Sequence, residues 1–233
     1  MLFMPGFFDY FIFMLPAIVL AGLATMYTKS MFTRYSKQAA STGLTGAQAA
    51  ARMLQSQGIR GVAIEPVRGF LSDHYDPSTR TLRLSPDVYG SRSLSAIGVA
   101  CHEAGHALQH AGHYAPLALR STLVPAAQLG SNLSYFLLMI GILFNLLALA
   151  KLGAILFSAV VLFSLVTLPV EWNATARAKA LMTTAGIVSP READDAGKVL
   201  NAAFLTYVAS AVTALMTLLY YLLRSGLLGG GDD

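Results

Sequence analysis

His102 and His106 stand four residues apart with Glu103 beside the first of them, in the apolar run Ile97-Gly98-Val99-Ala100-Cys101-His102-Glu103-Ala104-Gly105-His106. Four residues make just over one helical turn, so in a helix both imidazoles leave one face about 6 Å apart and can grip one metal ion. A carboxylate next to the ligands, but not among them, is where a general base for an activated water belongs. The plain alternative is a helix with two satisfied histidines and a surface glutamate. Composition weighs against it. Only 12% of the chain is charged, about half the share of soluble domains. His102, Glu103, His106 and His110 within one apolar helix carry a desolvation cost that metal coordination would offset.

A catalytic zinc site usually takes three protein ligands and keeps a fourth position open. The third candidate is Glu171, in Pro169-Val170-Glu171-Trp172-Asn173-Ala174-Thr175-Ala176-Arg177. It closes a long apolar stretch, and a carboxylate there must face protein, water or a cation rather than lipid. His110 is less suited: eight residues along a helix turn it about 80° from His102, which suits a supporting role. A third histidine ligand with metzincin spacing is excluded, because Gln109 and Gly112 occupy the required places and His113 comes one residue late. Glu192, Asp194 and Asp195 read as a helix start, since Ser189-Pro190-Arg191-Glu192 forms a capping box with proline at the first helical position. The lone Cys101 excludes an intrachain disulfide and reads as a small buried hydrophobe.

These residues have to be positioned by membrane elements. The chain has 233 residues, is 55% apolar and has a mean hydropathy of +0.57, which points to a bilayer as solvent. A first span over 7–27 reads as a retained anchor. The block 129–170 is too long for one crossing, and Lys151 with Gly153 is expected to turn it into a hairpin. A fourth span covers 203–223, followed by a mobile tail, Gly229-Gly230-Gly231-Asp232-Asp233. The resulting domains are an anchor (1–28), a catalytic segment (29–128), a hairpin (129–170), a segment carrying the third ligand (171–202) and a last span with its tail (203–233). Two crossings between the histidines and Glu171 return the chain to one membrane face. Most of the sixteen basic residues fall in 29–128 and 171–202, which places both segments in the cytoplasm by the positive-inside rule. The net charge of +4 is therefore read as topology. It comes without a dense basic run, so nucleic acid is not expected as a partner.

Within 29–128, Thr45-Gly46-Ala47-Gln48 is a capping box for a helix that stops at Gly58. Residues 61–64 and 79–85 read as short strands, the second after an Asp76-Pro77-Ser78 turn. Ser93 caps the histidine helix, which runs to His110 or Gly112.

Several of these runs together carry a family likeness. Leu71-Ser72-Asp73-His74-Tyr75-Asp76-Pro77, Leu84-Ser85-Pro86, His102-Glu103-Ala104-Gly105-His106-Ala107-Leu108-Gln109-His110 and Val170-Glu171-Trp172-Asn173-Ala174 resemble the YugP-type neutral zinc metallopeptidases of bacterial membranes, over almost the whole chain. The chain is more distantly similar to the HtpX-like and CAAX prenyl endopeptidases. The resemblance implies a mainly α membrane protein with about four transmembrane helices, carrying a zincin-like cytoplasmic segment with a small β-sheet and the His-Glu-x-x-His helix. It also implies Zn2+ held by His102, His106 and Glu171, Glu103 as base, and a site in the bacterial inner membrane. In the distant relatives the ligand glutamate opens a Glu-x-x-Ala-Asp run; here the fifth position is Thr175, and Asn173 stands where close relatives are expected to have aspartate.

The function this predicts is a gluzincin-type zinc metalloendopeptidase acting on membrane-associated or unfolded proteins, with His74 and Arg177 as candidate donors to the oxyanion. Tyr75 and Tyr207 are further candidates that nothing singles out. An intramembrane protease is disfavoured, because only about eight mostly apolar residues precede His102 and an Asp-Gly ligand motif is missing. The rival function is a non-catalytic, zinc-stabilised membrane adaptor; such structural sites usually close with four protein ligands. A membrane adaptor or a second copy of the chain stays open as a partner.

Overall fold

The computed structural model describes residues 5–69, 72–144 and 146–225; Leu71 of the family-like runs and the Gly229–Asp233 tail lie outside the described residues. The elements are helices α1 (Pro5–Tyr35), α2 (Gly46–Ser56), α3 (Pro86–Tyr89), α4 (Leu94–Ala111), α5 (Ala115–Leu143), α6 (Leu147–Thr184) and α7 (Pro190–Arg224). Three strands stand between α2 and α3: β1 (Ala63–Pro66), β2 (His74–Asp76) and β3 (Thr81–Leu84). The chain divides into two compact units, one of residues 1–24, 119–168 and 206–233, the other of 25–118 and 169–205.

In the first unit, helix faces are apolar outwards as well as inwards. Ile12 is 67% exposed, Phe136 61% and Ile155 61%, a surface that water would not tolerate but a bilayer would. Four helices, α1, α5, α6 and α7, are long and apolar enough to cross a membrane. Polar side chains are quieted locally: Ser164, Thr167, Thr213 and Thr217 each donate to the carbonyl four residues back, so few donors face hydrocarbon. The expected turn at Lys151–Gly153 does not occur. Both residues are helical within α6, and the chain turns between Leu143 and Leu147. Gly153 is there for close packing: an added Cβ would meet Leu138 Cγ at 2.7 Å and the Ser134 carbonyl at 3.1 Å, so the missing side chain lets α5 and α6 approach. Helices α5 and α6 are also longer than the expected spans of about 20 residues, at 29 and 38 residues.

The second unit is built around α4. Alternating residues of β3, Leu82 and Leu84, pack with Ala49, Ala50, Met53 and Leu54 of α2 and with Ile97, Ala100, Cys101 and Ala104 of α4 in one core that also takes in Met182 and Val199. Burial of Cys101 pushes its thiol up to about 12, consistent with a core role. The expected caps are present: Thr45 and Gln48 exchange bonds around the start of α2, Ser93 accepts from Ala96 at the start of α4, and Ser189 and Glu192 do so at α7. The sheet has the order β1-β3-β2, with β1 parallel and β2 antiparallel to β3. The first strand begins at Ala63, two residues after the start of the expected 61–64 segment, and β2, whose last residue Asp76 also opens the expected turn, is an additional edge strand. It is three residues long, too short for alternation to reveal it.

Candidate metal centre

Helix α4 brings His102 and His106 to one face, and α6 supplies Glu171 from a position 69 residues beyond His102 in the chain. His102 Nε2 lies 3.1 Å from Glu171 Oε2, and His106 Nε2 lies 3.5 Å from the same oxygen. The two imidazole rings are nearly perpendicular, 87° apart, so their Nε2 atoms converge instead of stacking. One ligand atom from each of the three residues lies within 4.8 Å of the others. Glu171 is 1% exposed and His106 8%, and a carboxylate so deeply buried needs compensating positive charge.

Close approach of the two helices requires Gly105. A Cβ at that position would sit 2.7 Å from the Ala174 carbonyl oxygen. Glycine between the histidines therefore lets α6 lie against α4 near enough for a glutamate to reach the imidazoles.

The hydrogen bonds behind the histidines decide which nitrogen faces the carboxylate. Arg177 Nε donates to Asn173 Oδ1. Gln109 Nε2 donates to that same oxygen and to the Val170 carbonyl, at 2.8 Å. Its amide orientation is thus set, and Gln109 Oε1 must accept from His106 Nδ1, 2.9 Å away. His106 then carries its proton on Nδ1 and turns an Nε2 lone pair towards Glu171. The Thr175 hydroxyl lies 3.2 Å from His102 Nδ1 and can fix the other ring in the same way. The His106 lone pair aimed at a buried carboxylate is repelled by it unless a cation lies between them. The donor set, two imidazoles and one carboxylate oxygen, suits a divalent zinc ion.

Glu103 is half-buried beside the centre, and its carboxylate makes no hydrogen bond among the described residues. His110 is held away from the cluster by Tyr75, whose hydroxyl lies 2.8 Å from its Nδ1. His74 is exposed on β2, with Nδ1 donating to the Ser72 carbonyl at 2.8 Å. Since neighbouring Tyr75 faces α4, strand alternation sends the His74 side chain to the opposite face. Arg177 meets the centre through Asn173, not directly. Gln109 and Thr175 are the two supporting residues that sequence reasoning did not assign. Their signal was present but weak: Gln109 is three residues from His106, and Thr175 occupies the fifth place of the Glu171 run.

A family described as "Putative neutral zinc metallopeptidase" matches residues 10–226. The chain is 48% identical over 224 residues to a Bacillus subtilis (strain 168) protein named "Putative membrane protease YugP", covering 96% of this chain and 99% of that protein. No solved structure matches the chain.

Proposed function

As the chain belongs to the family of neutral zinc metallopeptidases, we propose that it is a membrane-embedded zinc endopeptidase in which His102, His106 and Glu171 hold the metal and Glu103 is the general base. The observation that carries this reading is the convergence of two imidazoles, that of His106 held in one tautomer by Gln109, on one buried glutamate, with an uncommitted carboxylate beside the first histidine. Zinc, when bound, supplies Lewis acidity that acidifies water and polarises a peptide carbonyl. Glu103 takes the proton of the attacking water on a carboxylate oxygen and returns it to the leaving amine nitrogen. Gln109 and Thr175 keep the imidazoles in the ligating tautomer. Arg177 holds Asn173 and is assigned to positioning; His74, whose Nδ1 donates to the Ser72 carbonyl and whose ring lies on the face of β2 away from α4, is not given the oxyanion role. β2 pairs with β3 on one side, and its other edge can receive an extended peptide.

The segments 29–128 and 171–202 form the catalytic part and face the cytoplasm of a bacterial inner membrane, a reading supported by their excess of basic residues under the positive-inside rule. Glu171 follows directly on an apolar helical stretch, which favours membrane-associated or unfolded proteins as substrates.

The test is zinc content of the detergent-purified protein, wild type beside Glu103→Ala and Glu171→Ala, together with casein hydrolysis. Glu103→Ala should keep zinc and lose cleavage by about 10²- to 10⁴-fold, whereas Glu171→Ala should lose zinc. A wild type that binds zinc and cleaves nothing would favour the non-catalytic adaptor; one that binds none removes both readings.

A further inference from the structure

A cavity of about 190 Å3 lies beside the last turns of α4. Arg60, Arg80, His110 and His113 line it together with Tyr75 and Ala107, and no carboxylate does. Neither arginine has an ion pair among the described residues, whereas nearby Arg83 is paired with Asp76 at 2.9 Å. Such a wall repels cations and leaves two guanidinium forks for an oxyanion.

The backbone at this cavity is unusual. Arg80 and His113, with φ of 51° and 49°, are the two non-glycine residues in the left-handed region among those described. Each occupies a turn position where glycine is favoured. The His113 N–H donates to the His110 carbonyl and the Tyr114 N–H to the Gln109 carbonyl, the Schellman ending of a helix whose left-handed residue is usually glycine. Arg80 ends the turn that Asp76 organises through Ser78 and Thr79. Strain of this kind collects at functional sites, and here both strained residues line one cavity.

The cavity is also aligned with the candidate base. Glu103, Ala107 and His110 follow one another at i, i+4 and i+7 along a single stripe of α4. Ala107 is about 6 Å from Glu103 along the helix axis and His110 about 10 Å, the length of about three residues of extended peptide.

We propose that this cavity is a subsite for a carboxylate of the peptide that the metal centre cuts, about three residues from the scissile bond. The proposal rests on the peptidase reading. The carboxylate is either the C-terminal one or an acidic side chain, and the test separates the two.

Three fluorescently labelled peptides of one neutral sequence are compared: C-terminal amide, C-terminal free acid, and amide with an internal glutamate. Their affinities for zinc-loaded, full-length Glu103→Gln protein in detergent are measured. At least one acidic peptide should bind tenfold or more tightly than the neutral amide, and which one does so identifies the source. Arg60→Gln and Arg80→Gln, at exposed positions, should each reduce that ratio, Arg80→Lys should restore part of it, and Arg80→Glu should invert it towards a lysine-bearing peptide. Equal affinities for all three peptides, or a preference that survives both glutamine variants, overturns the proposal. Casein hydrolysis by the wild type separates the two failures. Cleavage without acidic preference removes only this subsite; arginine-dependent preference without cleavage removes the peptidase reading and leaves an anion site.

Discussion

Gln109 Oε1 lies 2.9 Å from His106 Nδ1, while the amide nitrogen of Gln109 is committed to the Val170 carbonyl and to Asn173. One buried amide thus sets the tautomer of a histidine of the candidate metal centre and ties α4 to the part of α6 that carries Glu171. A neutral amide suffices because its own orientation is dictated by acceptors that cannot be reversed.

Gln109→Leu is expected to weaken zinc binding by about 10- to 100-fold, measured by competition with a chromogenic chelator. Gln109→Glu keeps an acceptor for His106 and should recover part of the loss. Equal zinc affinity in the leucine variant and the wild type would show that His106 needs no such partner.

Thr175 stands behind His102 at 3.2 Å. Thr175→Val keeps the shape and removes the acceptor, so zinc affinity should fall by about tenfold, at the lower end of the range for such partners. Thr175→Asp offers a stronger acceptor and should bind zinc more tightly than the valine variant. An aspartate variant as weak as the valine one would mean that the hydroxyl is only a packing group.

Gly105→Ala is expected to cost about 1–3 kcal/mol through overpacking, because the new methyl would meet the Ala174 carbonyl at 2.7 Å. Zinc affinity should fall with stability, since the displaced backbone lies one turn from Glu171. Gly98→Ala is the control: its Cβ would be 3.4 Å from the Ala196 carbonyl oxygen, close to ordinary contact, and thermal unfolding should barely change.

Asp76 is held below its usual 3.8 by hydrogen bonds from Ser78, Arg83 and Thr79. The unfolded chain therefore takes up this proton at higher pH than the folded one, and the stabilisation is present above about pH 4 and lost as the pH falls through the lowered value. Asp76→Asn should be less stable than the wild type at about pH 7, with the gap closing as the solution is taken to about pH 3 and lower. Denaturant unfolding across that range measures it, and a gap that does not change with pH would exclude the linkage.

Much of the centre was legible in the chain itself. Helical spacing is local, so His102, Glu103 and His106 could be placed on one helix without knowing what surrounds them, and the caps at Thr45, Ser93 and Ser189 depend on residues within three positions. The four apolar spans followed from length and hydropathy for the same reason. Glu171 was reached by a further physical step, the cost of a carboxylate at the end of a long apolar stretch; the helix itself runs on to Thr184.

What the tertiary structure decided are the relations between residues far apart in sequence. Gln109 meets Val170 across 61 residues and His102 meets Thr175 across 73, and no local period encodes which side chain will stand behind an imidazole. Gly153 looked like a turn because glycine is a poor helix former, yet its use is to admit Leu138 and Ser134 of the neighbouring helix. β2 acquires strand character from its partner β3, and Arg80 and His113 come together only once a turn and a helix end are folded to the same cavity. Local propensity sets the elements; the packing of their faces selects which residues share a site, because that selection depends on contacts the chain makes only when it returns on itself.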